Sequence, residues 1–242
     1  MKLTTNENAF KLGGCTYLEK GADITIVTGH FGSGKTEIAI NLALEAKKKN
    51  DKVAVADLDI VNPYYRARDA RAIFTEHGIE LIAPAKKLAS ADLPIVPGDI
   101  YRVIYDPEYI VIVDAGGDKD GATALGQFYN DWKAMDPEVL FILNANRPYV
   151  STLDGAVETL MKIEKASRLK ISGILNNSNV GSQTTIEDVQ NGIDLCKNLS
   201  KQLQIPLLMT ILSPHLRSQA DFFLPDHPFK PISRFLKLPW ES

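Results

Sequence analysis

The chain has 242 residues, 45% of them hydrophobic and 24% charged, with a formal net charge of -3. That is enough apolar material for a sizeable core, and a single α/β domain over residues 1–242 is the expectation. The mild acidity excludes a general attraction to nucleic acid, which would then need a local basic patch.

The first stretch, MKLTTNENAFKLGG, lacks the apolar core of a secretory signal. No run along the chain reaches the length of a membrane-spanning helix, so a cytoplasmic protein is expected. The two cysteines, Cys15 and Cys196, stand apart from each other and from histidine, which points to neither a disulfide framework nor a zinc site. Cys196 falls on an apolar helical stripe and reads as a small buried hydrophobe.

Strand-like runs follow one another: ITIVT at 24–28, KVAVAD at 52–57, IELIA at 79–83, YIVIVD at 109–114, VLFILN at 139–144, KISGIL at 170–175 and PLLMTIL at 206–212. Several are apolar throughout, as suits strands covered on both faces. Residues 36–48 put Ile38, Ala39, Leu42, Ala43 and Ala46 on one helical stripe, with Glu37, Asn41 and Glu45 on the other side. Residues 186–203 do the same with Ile186, Val189, Ile193, Cys196 and Leu203. Strand and helix in alternation imply a mostly parallel central sheet with helices on both faces, a three-layer α/β/α fold.

The stretch GHFGSGKT, at 29–36, sits between the first strand and the helix that starts at Thr36. That setting turns a glycine-rich turn into a phosphate cradle. Gly29, Gly32 and Gly34 allow the backbone to come close to a ligand, and successive N–H groups through His30, Phe31 and Ser33 can converge on phosphate oxygens. The helix N-terminus adds partial positive charge, to which Glu37 is adjacent. Lys35 brings a full charge to the β/γ bridge, and the Thr36 hydroxyl suits a magnesium ion.

Such a site needs a carboxylate on a neighbouring strand. Asp114, at the end of YIVIVD, supplies it, and Gly116 and Gly117 after it would let a backbone N–H approach the γ-phosphate. The second strand ends in Asp57 and Asp59, within VAVADLDIVNPYYR. Two carboxylates so close together make a nearby cation more plausible, although a loop capping a helix near Pro63 is the alternative.

GHFGSGKT, DLDIVNP and VDAGG together resemble the MinD/ParA group of P-loop ATPases, the CobQ/CobB/MinD/ParA nucleotide-binding domain, which includes nitrogenase iron protein and dethiobiotin synthetase. The resemblance runs from about Asp23 to Ile232. It implies a P-loop fold of the nitrogenase iron protein type, with the P-loop strand beside the second strand, and a magnesium-dependent ATPase. In this likeness Lys35 takes the phosphate lysine's role and Thr36, Asp57 and Asp114 surround the metal. Asp59 positions the attacking water. Many members carry Gly-Lys-Gly-Gly-x-Gly-Lys-Thr, whose first lysine reaches across a dimer; His30 stands there in this chain, a weaker and conditional charge. A homodimer therefore stays open.

The resemblance also favours ATP over GTP. No Asn-Lys-x-Asp guanine signature follows a late strand. Asn176, after the sixth strand, occupies the position that meets the adenine edge in the family, and LSPHLR places Pro214 and His215 as packing neighbours of the base. The asparagines read equally well as turn formers. Lys162, Lys165, Arg168 and Lys170 form a charged outer helix face. The tail FKPISRFLKLPW, with Pro231 and Pro239 leaving about two turns, reads as a short terminal helix docked on the domain.

Three functions follow. One is an ATP-driven switch acting on a partner protein or cargo; another is a small-molecule kinase or ligase of the dethiobiotin synthetase kind; the third is a module that binds nucleotide without turnover.

Overall fold

The computed structural model describes residues 23–59, 67–83, 98–224 and 227–236. Cys15, Pro63 and the end of the tail lie outside them. Among the described residues there are eight strands: β1 Asp23–Thr28, β2 Lys52–Leu58, β3 Glu80–Ile82, β4 Tyr109–Ala115, β5 Glu138–Leu143, β6 Gly173–Asn176, β7 Leu207–Leu212 and β8 Phe229–Pro231. The main helices are α1 Lys35–Lys47, α2 Arg71–Glu76, α3 Asp99–Ile104, α4 Lys119–Gln127, α5 Tyr129–Met135, α6 Leu153–Ser167, α7 Ile186–Leu203 and α8 Arg217–Phe223.

All the strands join one sheet in the order β3-β2-β4-β1-β5-β6-β7-β8, and every pairing is parallel. The expectation of a parallel three-layer fold therefore holds, with β8 as an extra edge strand that its sequence, only three residues long, did not announce. One expectation is corrected: β1 does not lie beside β2. β4 is inserted between them, because β1 pairs with β4 on one side and β5 on the other. The chain thus fills the sheet on one side of β1 with β2, β3 and β4 and on the other with β5 to β8. Loops diverge from the carboxyl ends there, where open α/β sheets form their crevices.

Strand side chains alternate between two cores. On one face Ile24, Ile26, Val111, Val113, Val139 and Phe141 meet α3 to α7, including Trp132, Leu160 and Cys196. On the other Val27, Val53, Val55, Ile112, Leu140 and Ile142 meet α1 and Phe74 of α2. Cys196 is fully buried, as its stripe predicted, and burial pushes its thiol pKa up. The charged face of α6 is laced with its own acids, Lys162 to Glu158 and the nearby Lys170 to Glu164, both at 2.6 Å.

The terminal helix expected after Pro231 does not form over residues 232–236, which have no regular structure. Instead this segment runs along α1. Helical period places Glu37, Asn41 and Glu45 in one row; the first two meet this segment and the third meets β8. Asn41 exchanges two hydrogen bonds with the Ser233 backbone, at 2.8 and 3.1 Å. The Glu37 carboxylate accepts the N–H groups of Phe235, at 3.0 Å, and Leu236, at 2.6 Å. Glu45 faces Lys230 at 3.9 Å. Leu236 is buried against the α1 core, with Ile232 and Phe235 beside it. The polar side of α1 thus binds backbone, which a solitary amphipathic helix would not need to do.

Replacing the Glu37 carboxylate removes two charge-assisted bonds and strands two N–H groups. Glu37→Ala is expected to destabilise the protein by about 1–3 kcal/mol and to open the segment to protease, read as a lower urea midpoint and faster cleavage after residue 231.

Candidate nucleotide site

The carboxyl ends of β1, β2, β4, β5 and β6 supply the site. After β1 the chain turns through 29–34 into α1, with Gly29, Gly32 and Gly34 at positive φ. Gly34 precedes the helix at φ 88°, and its carbonyl accepts the Ile38 N–H at 3.1 Å. The loop is closed on itself by Ser33 N–H donating to the His30 carbonyl, at 3.1 Å. Lys35 is 4% exposed, and its Nζ lies 3.4 Å from the same carbonyl. A buried ammonium resting on a loop carbonyl, beside a helix N-terminus, is a cation held where an anion is to come.

Opposite it stand the carboxylates. Parallel register pairs Asp57 with Asp114 directly, and Asp114 in turn with Val27. The pairing turns both acids to the α1 face, so β4 carries Asp57 to the loop despite the intervening strand. Asp57, Asp59 and Asp114 are all buried. The Thr36 hydroxyl donates to Asp114 Oδ2 at 2.7 Å. Asp59 N–H donates to Asp57 Oδ1 at 3.2 Å, which folds the end of β2 back on itself. A Cβ on Gly116 would lie 3.1 Å from Asp59 Oδ1, so Asp59 reaches the turn after β4.

Burial, then repulsion from Asp59 and Asp57, pushes the Asp114 pKa up to about 8, against the pull of Lys35 and the Thr36 hydroxyl. Asp114 Oδ1 and Ser33 Oγ are buried without a hydrogen-bond partner among the described residues. Buried polar atoms are normally satisfied. Two exceptions in one site, one of them a carboxylate oxygen crowded by like charge, fit a magnesium ion with its water shell. Thr36 and Asp114 would hold it, with Asp57 nearby. Among the described residues no group of three or more His, Cys, Asp and Glu could hold a metal ion by itself. The phosphate would have to complete the shell, as magnesium usually requires.

Gly117 shows why two glycines follow Asp114: a side chain there would collide with the Gly29 backbone, so the turn after β4 lies directly on the start of the phosphate loop. That is the contact through which the two segments can sense one another.

Not every expected residue joins this cluster. Glu37, next to Thr36, spends its carboxylate on the 232–236 segment rather than facing the loop. His30 bonds its neighbour's carbonyl through Nδ1, at 2.9 Å, and its ring lies 5.6 Å from that of Tyr149. Phe31 is 52% exposed at the rim. Asn176 has a different job from the one expected. It is fully buried, its Nδ2 donating to the Val189 carbonyl and Thr210 Oγ1, its Oδ1 accepting from Ser178 N–H and Oγ. No donor or acceptor is left over for a base edge. Pro214 and His215 are exposed after β7, and the His215 ring bonds the Thr184 carbonyl at 3.0 Å.

Two residues overlooked in the sequence do touch the loop. Asn177 Nδ2 donates to the Ser33 carbonyl at 2.7 Å, and Arg147 Nε to the Gly32 carbonyl at 2.9 Å. The signal for Asn177 was strand period, since it is one residue past Asn176 and therefore points to the opposite face.

Fold and site together define a P-loop nucleotide-binding protein. The family model described as the CobQ/CobB/MinD/ParA nucleotide binding domain matches residues 24–213, and the chain belongs to that family. No curated protein is significantly similar to it. Among solved structures, FtsY from Mycoplasma mycoides is similar, with a TM-score of 0.56 at 18% identity, over 81% of this chain and 61% of that one. FtsY from Elizabethkingia anophelis in complex with GDP gives 0.54 at 19%, over 84% and 61%. Signal recognition particle 54 kDa protein from Aeropyrum pernix in complex with GDP gives 0.53 at 19%, over 84% and 45%. This chain spans about three fifths or less of these three chains, and the likeness is one of fold.

Asp114→Asn keeps the Thr36 contact while removing a carboxyl whose ionisation burial and two neighbours oppose, and which folding must therefore protonate at neutral pH, where the unfolded chain is ionised. It is expected to raise the ligand-free melting temperature at pH 7.5 and to abolish any extra stabilisation by magnesium with nucleotide, both read by scanning fluorimetry.

Proposed function

We propose that this protein binds ATP with magnesium and hydrolyses it slowly, serving as a nucleotide-dependent switch on a partner protein or cargo. The observation that carries the reading is the buried pair at the loop: Lys35 poised on a loop carbonyl, and Asp114 held by Thr36 with one oxygen unpartnered. A triphosphate answers both. Its charge gives Lys35 a partner, and the magnesium it brings neutralises phosphate oxygens and the crowded carboxylates.

In this reading the N–H groups at the start of α1 and Lys35 bind and orient the phosphates. Asp59, buried at the end of β2 and close to Gly116, orients the attacking water. Gly117, lying on Gly29, couples loss of the γ-phosphate to the turn before α4. These turns are the segments that would differ between the two nucleotide states. The partner, and any pairing of two copies, would be engaged there.

ATP is preferred because no Asn-Lys-x-Asp motif is present. GTP is the rival, since two of the similar structures hold GDP. Competition between ATP and GTP for a fluorescent triphosphate separates them. No helix among the described residues is long and apolar enough to cross a membrane.

Lys35→Ala is expected to abolish tight triphosphate binding; retained affinity would refute the phosphate-loop assignment. Asp59→Ala is expected to keep binding while phosphate release falls roughly a hundredfold or more. A hydrolysis rate equal to wild type removes Asp59 from its role. Turnover stimulated by a small metabolite, and by no protein fraction, would favour a transferase over the switch.

A further inference from the structure

The phosphate loop is held from outside by two side chains that no part of the nucleotide reading uses. Asn177 donates to the Ser33 carbonyl and Arg147 to the Gly32 carbonyl, at 2.7 and 2.9 Å. A peptide unit is planar and trans, so a carbonyl fixed in one direction fixes the next N–H in the other. Asn177 thereby turns the Gly34 N–H away from itself, and Arg147 turns the Ser33 N–H toward the His30 carbonyl that closes the loop. The fit is tight on both sides. A Cβ on Gly34 would collide with Asn177 Nδ2, and one on Gly32 would meet Arg147 Nε at 3.1 Å.

The two braces are themselves one unit. Asn144, at the end of β5, donates to the Asn179 carbonyl and accepts from the N–H groups of Asn146 and Asn179, at 3.0 to 3.1 Å. Asn179 returns a bond from its Nδ2 to the Asn177 carbonyl at 2.8 Å. Arg147 N–H donates to the Asn144 carbonyl at 3.0 Å. Beyond it Tyr149, at φ 69°, lays its ring against His30. A bulky residue in the left-handed region is a strained one, and it persists only where surroundings impose it. The loops after β5 and β6 are thus sewn together and pressed as a pair on the phosphate loop.

We propose that Asn177 and Arg147 are positioning residues that preorganise the phosphate loop before ligand arrives, with Asn144 joining their two loops. This rests on the nucleotide reading for its purpose, but the bracing itself can be measured without ligand. Preorganised donors cost no rearrangement when the anion binds, which is where such braces act.

The test uses Asn177→Asp, which keeps the shape and loses the donor, together with Asn177→Ala, Arg147→Ala and Arg147→Lys. Arg147 is exposed, so its variants fold even if a change at the buried Asn177 does not. In ligand-free protein, hydrogen exchange at the amides of residues 32–36 is expected to quicken roughly three- to tenfold in Arg147→Ala and in both Asn177 variants, with the exchange of α7 unchanged. Affinity for a mant-labelled ATP is expected to fall by a similar roughly three- to tenfold, and Arg147→Lys to restore both in part. Exchange equal to wild type overturns the brace. Quickened exchange with unchanged affinity overturns its positioning role. Full recovery of affinity by Arg147→Lys without recovery of exchange reduces Arg147 to a charge, and also overturns it. If wild type binds no nucleoside triphosphate, the nucleotide reading fails and the positioning role with it, whereas wild type that binds, with variants that exchange and bind as it does, strikes the inference alone.

Discussion

Three carboxylates buried side by side at the end of a parallel sheet are the constraint from which the site follows. Register puts Asp57 against Asp114, and the Asp59 N–H donates to Asp57 Oδ1. Such an arrangement is costly unless cations share the space, and for Asp114 relief comes from Lys35 and the Thr36 hydroxyl. Both belong to the segment that leaves β1 and starts α1. The strand pairing and the phosphate loop therefore depend on each other: the acids need the loop's charge, and the loop's charge is aimed by the sheet.

The glycines of the loop are explained by neighbours as much as by backbone angle. Gly117 lies on Gly29, and Gly34 leaves room for Asn177. The loop is enclosed by the turns after β4, β5 and β6, with its Gly32 and Ser33 carbonyls anchored outward. At the start of α1 lie the buried Lys35, the unpartnered Ser33 hydroxyl and the unpartnered oxygen of Asp114. A polyanion carrying a divalent metal meets each of these needs at once, which few other ligands would.

α1 has a second duty. Its apolar stripe enters the core under β1 and β4, while Glu37 and Asn41 hold the segment that follows β8 and Glu45 faces Lys230 of β8. The helix that presents Thr36 is thus fixed along both of its sides. Because Glu37 is adjacent to Thr36, the last described segment of the chain is tied to within one residue of the hydroxyl that holds Asp114.

Much of this was legible in the linear sequence. Apolar runs of strand length alternating with helical stripes give a parallel three-layer fold, because only strands covered on both faces can be apolar throughout. Glycine spacing, Lys35, Thr36 and a strand-terminal Asp114 mark the candidate phosphate site, because each is a local requirement of that chemistry, and the fold brings them together. What sequence could not decide was lateral. The insertion of β4 between β1 and β2 depends on which edges pair, and no local pattern carries that. Whether Asn176 or Asn177 faces the loop depends on where the loop's helix sits relative to β6. Strand period says the two point oppositely but not which way. The polar row of α1 looks like a solvated face until the chain's last described segment is laid along it. Short-range chemistry is written in neighbouring residues; the choice among faces and edges is made only when distant segments compete to bury them.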